Sequence, residues 1–229
     1  MKKLIIVGTG STARRIYDFV KQYNLYEVVG FVVDKEYKKE DKFCNLPVYS
    51  FEELEKIYKK EEIELFIAVL WNNLNKDRKN LFIKLKKYGY KLANLISPTS
   101  IIRGKILGEN CWVQDYVILD TNSILKTGVI LSSQTFVLHD SIIEDFVFTG
   151  SKVTIGGKCI IGAQTFIGLN ALVFDQVHIK EKCIIGAGTV IKRNIEKNTV
   201  CKLETSNINI KTYSDNIIET KLIASKNVR

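Results

Sequence analysis

Between residues 101 and 196 apolar side chains recur with a period of six, through sixteen hexads from IIRGKI to IKRNIE without insertion or deletion. The first position of the hexad is aliphatic in fifteen of the sixteen, with Thr149 the exception. The fifth is small or β-branched, from Cys111, Val117 and Ser123 through to Cys183, Thr189 and Ile195; Lys105 in the opening hexad departs from the rule. A helix would repeat every ~3.6 residues, and an isolated sandwich strand would alternate for only a few. A fixed period of six instead asks for a solenoid, in which each short strand buries its side chains against the coils above and below. With three hexads to a triangular coil, the span predicts a little over five parallel coils in register. The first position supplies the large inward side chain, and the fifth fills the tight corner. Gly108, Gly128, Gly156, Gly162, Gly168, Gly186 and Gly188 are expected to give the turns their backbone freedom.

Upstream the pattern changes. Residues 3–7 read as a buried strand closed by Gly8-Thr9-Gly10, and a helix follows from Ser11 or Thr12 to Tyr23 with Ile16, Phe19 and Val20 on one face. Residues 27–33 form a second strand with Asp34 at its carboxyl end. Ser50 and Glu53 make a capping box for another helix. A third strand is expected over 65–70, a third helix over 75–88 ended by Gly89, and a short strand over 91–96 before Pro98. Strand and helix alternating at this spacing predict a small open parallel sheet covered by helices, which binds ligands beyond the carboxyl ends of its strands. The domains are therefore 1–97, 98–200 and a C-terminal tail, 201–229. Gly8, Gly10 and Asp34 partly match a dinucleotide fingerprint, but Ala13 stands where the third glycine would be. The pattern leaves open a nucleotide portion of a substrate, NAD, or no ligand.

Composition narrows the picture. With 46% hydrophobic residues, a mean hydropathy of +0.01 and no apolar run of membrane-spanning length, the chain reads as a soluble globular protein. The opening MKKLIIVGTG has only a short apolar run and no cleavage site, which favours a cytoplasmic first strand over a signal peptide. Five cysteines, three of them (Cys111, Cys159, Cys183) at the fifth hexad position, point to buried fillers in a reducing compartment and to no metal site. The net charge of +9 divides as 19 basic and 13 acidic residues over 1–100, against 15 and 12 over the remainder. That balance suits anionic substrates such as nucleotides or coenzyme A. No nucleic-acid-binding motif accompanies it.

Of the two histidines, His139 occupies the third hexad position, which faces away from the core, and Asp140 follows it directly. Such an imidazole can accept a proton from a hydroxyl or amine, while the carboxylate favours its charged form. His178, at a sixth position filled elsewhere mostly by Ile, Phe or Leu, reads as structural or as a subunit contact.

On the stretches LIIVGTG, FVVDK, SPTSIIRGKILGENCWV, FVLHDSIIEDF and IGAGTVIKRNI, the chain resembles a family of sugar O- and N-acetyltransferases. These enzymes join a Rossmann-like domain to a left-handed parallel β-helix. They include sialic acid O-acetyltransferases and N-acetyltransferases of UDP-linked 4-amino sugars. The resemblance implies the handedness, since the usual crossover rule is right-handed. It implies His139 as general base, Asp140 as its support, and the Gly157 N–H as an oxyanion donor. It places acetyl-CoA in a groove near Gly168, Leu169, Ala187 and Lys192, and the acceptor near Gly8, Gly10, Ser11, Asp34 and Lys35. It also implies a homotrimer with active sites between neighbouring helices.

Several positions depart from the family pattern. Ser11-Thr12 replaces a Gly-His motif, Phe148 a second histidine nine residues after the base, Ser132 an asparagine seven before it, and Ser151-Lys152 a Pro-Gly. The end reads CKLETSN in place of a G-x-P-A turn. The expected activity is direct acetyl transfer to the amine of a nucleotide-linked deoxyamino sugar for a surface glycan. Sialic acid O-acetylation and a silent trimeric scaffold are the alternatives.

Overall fold

The computed structural model describes residues 1–203; the foreseen tail from 204 onward lies outside the described residues. The first domain is a five-stranded sheet in the order β3-β4-β2-β1-β5. It is built from β1 (Lys3–Val7), β2 (Glu27–Val33), β3 (Lys42–Phe43), β4 (Leu46–Ser50) and β5 (Ile63–Ile67), with helices α1 (Ser11–Gln22), α2 (Phe51–Ile57) and α3 (Lys76–Lys87). All pairings are parallel except the β3–β4 hairpin. That hairpin escapes sequence reading because Pro47 sits inside β4, at the start of the strand, before the stretch Val48–Ser50 that pairs with β2. The Ser50–Glu53 capping box forms as expected.

Alternation along β1 sorts the core. Leu4 and Ile6 join Ala13, Ile16 and Val20 of α1, whereas Ile5 and Val7 face Leu54 of α2 and Leu85 of α3. The first of these layers does not stop at the domain edge: it continues into Trp112, Ile130 and Phe148 on the outside of the second domain.

The second domain is the expected left-handed parallel β-helix, with three sheets of seven, five and six two-residue strands. Face one runs from Leu95–Ile96 to Val200–Cys201, face two from Ile101–Ile102 to Val190–Ile191, and face three from Lys105–Ile106 to His178–Ile179. Its lowest rung, Leu95–Ile96, pairs with Trp112–Val113. First and fifth positions point inward together, so Leu131, Val137, Ile143, Cys159 and Cys183 share one buried core. Each buried Leu or Ile contributes roughly 1.5–3 kcal/mol over exposure.

Two details correct the sequence reading. Partners lie 18 residues apart through the middle of the stack, but the end coils slip. Ile118 pairs with Ile101, Ile124 with Lys105, and Ile184 with Val200. Ile102 and Ile106, not Ile101 and Leu107, therefore turn toward the core. At the top, Asn194 Oδ1 accepts the His178 N–H, closing a shortened turn.

The glycines also act differently from expectation. The left-handed backbone recurs at every sixth residue from Asn110 to Gly188, and only Gly128 and Gly188 of the seven glycines occupy it. Non-glycine residues hold it because their N–H groups donate to the coil below, as Gln134 does to Asp115, Lys158 to His139 and Gln176 to Gly157. The other glycines permit close approach: a Cβ on Gly168 would lie 2.5 Å from the Ala187 nitrogen.

The first domain docks on face one. Trp71 packs on Phe148 at 4.6 Å with the rings tilted by 57°, and Phe148 lies parallel to Phe166 at 5.5 Å. Arg78 is fully buried at this junction, donating to Asn75 Oδ1 (2.9 Å) and the Phe146 carbonyl (3.2 Å). Burial without a carboxylate pushes its pKa down to about 9. Among the described residues, no helix is long and apolar enough to cross a membrane.

Candidate active site

His139 sits on the corner where face two turns into face three, between Phe136–Val137 and Ile142–Ile143. Its side chain is 54% exposed. Two coils pin its backbone: the His139 carbonyl accepts the Lys158 N–H at 2.8 Å, and the Asp140 N–H donates to the Thr121 carbonyl at 3.0 Å. The next residue is pinned too, since Ser141 Oγ donates to the Gly156 carbonyl and accepts from the Cys159 N–H. An outward residue here needs no core packing to hold its place.

Asp140 has the left-handed conformation of its column, φ 59°. That turn folds its carboxylate back on the neighbouring ring, Oδ2 to His139 Nδ1 at 2.9 Å. The His139 hydrogen bond first, and then that of Asn122, holds the Asp140 carboxyl below its ordinary value. A charged acceptor on Nδ1 favours the tautomer with the proton there, leaving Nε2 as a free base. Gly157, one coil above, makes room for it: a Cβ there would stand 2.5 Å from Nε2. The Gly157 N–H itself donates to Asp175 Oδ1 at 2.6 Å. The Thr127 N–H and Asp145 make the same clamp on the corner between faces three and one, at 2.9 Å.

The remaining candidates do not come together in one place. Leu169, Ala187 and Gly168 are on the corner between faces one and two, where Leu169 is exposed and its carbonyl accepts the Gly188 N–H. Lys192 shares the His139 corner, its ammonium 5.3 Å from the Phe174 ring. Gly8, Gly10 and Ser11 lie at the carboxyl edge of the sheet; Gly8 has φ +116° and donates to the Val32 carbonyl, and Gly10 precedes an α1 terminus with no side-chain cap. Asp34 does not join them. Its carboxylate pairs with Lys84 of α3 at 2.6 Å and lines a cavity with Phe51, Glu52, Tyr88 and Tyr90. Thr9 lines a different one, about 210 Å³, with Tyr37, Lys39, Glu40, Phe43 and Val48. Lys35 starts the short 3-10 turn Lys35–Tyr37 between the two.

Comparison with known proteins accounts for both halves. Residues 3–85 match the family model of the PglD N-terminal domain, and residues 152–193 that of the hexapeptide repeat of succinyl-transferase. The first match spans most of the α/β domain, and the second lies within the upper coils of the solenoid. Among solved structures, the acetyltransferase domain of PglB from Neisseria gonorrhoeae gives a TM-score of 0.75 at 24% identity, covering 87% of this chain and 96% of that one. PerB from Caulobacter crescentus, in complex with CoA and GDP-perosamine, gives 0.75 at 22% identity, covering 87% and 93%. The PglB domain in complex with acetyl coenzyme A gives 0.73 at 24%, covering 85% and 92%. These likenesses establish the fold and agree with the family resemblance on the sequence.

Within that fold, the α/β domain and His139 lie on opposite sides of the same solenoid. The domain covers face one, whereas His139 is on the corner facing away from it. Phe148, nine residues beyond the histidine, is under Trp71 on face one and so far from the His139 corner of its own chain. Sequence reading missed Asn122, Asp175 and the Thr9–Tyr37 cavity. The first two carry a legible signal: Asn122 lies 18 residues below Asp140, and Asp175 lies 36 above His139. Among the described residues, no three metal-ligating side chains come together.

Proposed function

We propose that this protein is an acetyltransferase that moves an acetyl group from acetyl-CoA to the amine of a nucleotide-linked deoxyamino sugar. The observation that carries this reading is the exposed His139–Asp140 pair, with Nε2 open beneath Gly157. The amine attacks the thioester carbonyl while His139 Nε2 takes its proton. Collapse of the tetrahedral intermediate breaks the C–S bond, and the imidazolium returns the proton to the departing sulfur. The Gly157 N–H can meet the developing oxyanion once Asp175 releases it. Direct transfer fits the cysteines: burial pushes Cys111 up to about 11 and raises Cys159 and Cys183. None of these thiols is poised as a nucleophile. That PerB was solved with CoA and GDP-perosamine supports both substrates.

The site is shared between subunits of a trimer. Acceptor bound at the strand ends of the first domain, beside Gly8, Gly10 and Ser11 or beside Asp34 and Lys35, is out of reach of His139 in the same chain. Donor residues are also split, with Leu169 and Ala187 one corner away from His139 and Lys192. A neighbouring solenoid can bring these corners together. The faces it would cover are apolar. Phe136, Leu172 and Val190 point outward on face two, and Phe174 is 45% exposed. Val173, at a first hexad position, points into the core. We place the reaction in the cytoplasm, in surface glycan synthesis, because it draws on acetyl-CoA and an activated sugar.

The test is acetyl transfer from acetyl-CoA to a panel of nucleotide 4-amino sugars and sialic acids, with sedimentation at the assay concentration. Transfer to an amine by a trimer is expected. Transfer to sialic acid alone would move the assignment to O-acetylation, no transfer to any acceptor would favour the scaffold, and an active monomer would overturn the shared site.

A further inference from the structure

The left-handed column that carries Asp140 (φ 59°) also carries Asn122 (φ 60°) one coil below and Lys158 (φ 58°) one coil above. Identical backbone geometry at this 18-residue spacing stacks the three side chains on the His139 corner. The Asn122 amide Nδ2 donates to Asp140 Oδ1 at 3.1 Å, and the opposite oxygen, Oδ2, meets His139 Nδ1 at 2.9 Å. The two carboxylate oxygens are thus occupied from different sides. Without a partner on Oδ1, a half-exposed aspartate would rotate among several rotamers, and only some of them present an oxygen to Nδ1.

We propose that Asn122 is a positioning residue: its amide fixes the Asp140 carboxylate so that His139 keeps its proton on Nδ1 and its lone pair on Nε2. The role of that lone pair in transfer rests on the function proposed above, but the positioning itself does not. An amide suits this task better than a second charge. It donates to the carboxylate without competing for Nδ1, and asparagine tolerates the left-handed backbone better than most residues. A carboxylate at the same place would repel Asp140 and turn it outward. Lys158 supplies positive charge from the other side and contributes to holding the Asp140 carboxyl low; it makes no hydrogen bond that would set the rotamer.

The chain's two histidines make the proposal directly measurable. Long-range ¹H–¹⁵N correlation spectra of the full-length labelled protein report the tautomer of each neutral ring, and His178→Gln assigns the signals. The informative variant is Asn122→Gly, since Gly128 and Gly188 already hold the same left-handed position elsewhere in the stack. The expected result is a predominantly Nδ1–H ring in the parent protein and a mixed population in Asn122→Gly, with Asn122→Asp shifted at least as far. The acetyl-transfer kcat should fall roughly tenfold, a part of the 10²–10⁴ that positioned proton transfer supplies, with the KM for acetyl-CoA unchanged. An unaltered tautomer in both variants overturns the proposal, whatever happens to activity. A changed tautomer in a protein that acetylates nothing sustains it and removes only the enzymatic reading.

Discussion

In the solenoid, a residue meets its own sequence counterparts 18 positions away, coil after coil, as Phe148 meets Ile130 and Phe166. In the α/β domain, contacts come from wherever the connections lead: Asp34 finds Lys84, Tyr23 finds Asp115 and the Ile67 N–H finds Asn110. The difference matters for where chemistry can be added. A solenoid corner holds a side chain by its backbone alone, with rungs above and below, so an outward residue such as His139 is placed without using the core. At the strand ends of the α/β domain, a functional group lies among loops and helices with charges of their own. There a ligand must compete with an existing partner.

The largest effect expected from this contrast is at His139. His139→Ala should lower kcat by roughly 10²–10⁴-fold, the usual contribution of positioned proton transfer, and leave the thermal midpoint nearly unchanged. His178→Ala should do the opposite. His178 is exposed on face three, in the row of Ile142 and Ile160, where another subunit would pack. Its loss should weaken assembly in sedimentation and affect turnover only through it. A His139→Ala enzyme with near-parental turnover would end the proposed mechanism.

The same contrast explains what could be read from the sequence. Fifteen aliphatic first positions announce the solenoid because burial there repeats under one rule. The slips at Ile101 and Leu107 stay hidden, since an end coil has a neighbour on one side only and its corner can be redrawn without disturbing a second. The glycine turns misled for a related reason. The left-handed corner falls on Asn, Gln, Lys, Asp and even Phe146, stabilised by hydrogen bonds that sequence does not display. At the site, the histidine and its neighbour are adjacent in sequence, so the pair is legible. Asn122 and Asp175 become so only once the 18-residue coil is applied to functional positions as well as to the core. In the α/β domain, no period predicts that Lys84 of α3 reaches Asp34, or that Thr9 and Asp34 line separate cavities.

A smaller effect separates the glycines of the two domains. In Gly162→Ala the new methyl would fall on the backbone of Lys180 and Glu181 in the next coil, and neither rung can retreat without breaking its own pairing. Overpacking of this kind costs about 1–3 kcal/mol, so denaturant or thermal unfolding should show a clear loss. In Gly10→Ala the methyl meets nothing within 4 Å, and the backbone there is ordinary extended chain at φ −86°. Stability should be nearly unaltered, and any change should appear as a weaker apparent affinity for the acceptor. Equal losses at the two sites would mean that coil spacing is softer than the rungs imply.

The smallest effect, and the one that most sharpens the contrast, concerns Asp34. Its bond to Lys84 is half-exposed, with both side chains about 40% accessible, so breaking it should cost no more than about 1 kcal/mol of stability. If Asp34 receives hydroxyls or a base edge of the acceptor, that ligand must displace or share the Lys84 ammonium. Asp34→Ala should then raise the acceptor KM several-fold and leave that for acetyl-CoA unchanged, since the residues proposed for the donor lie on the solenoid. Lys84→Met should shift the acceptor KM downward, because it frees the carboxylate without removing it. Opposite signs in the two variants would identify the ion pair as a competitor for the acceptor. A rise of similar size in both would instead make the pair part of the binding surface, and no change in either would detach Asp34 from the acceptor altogether.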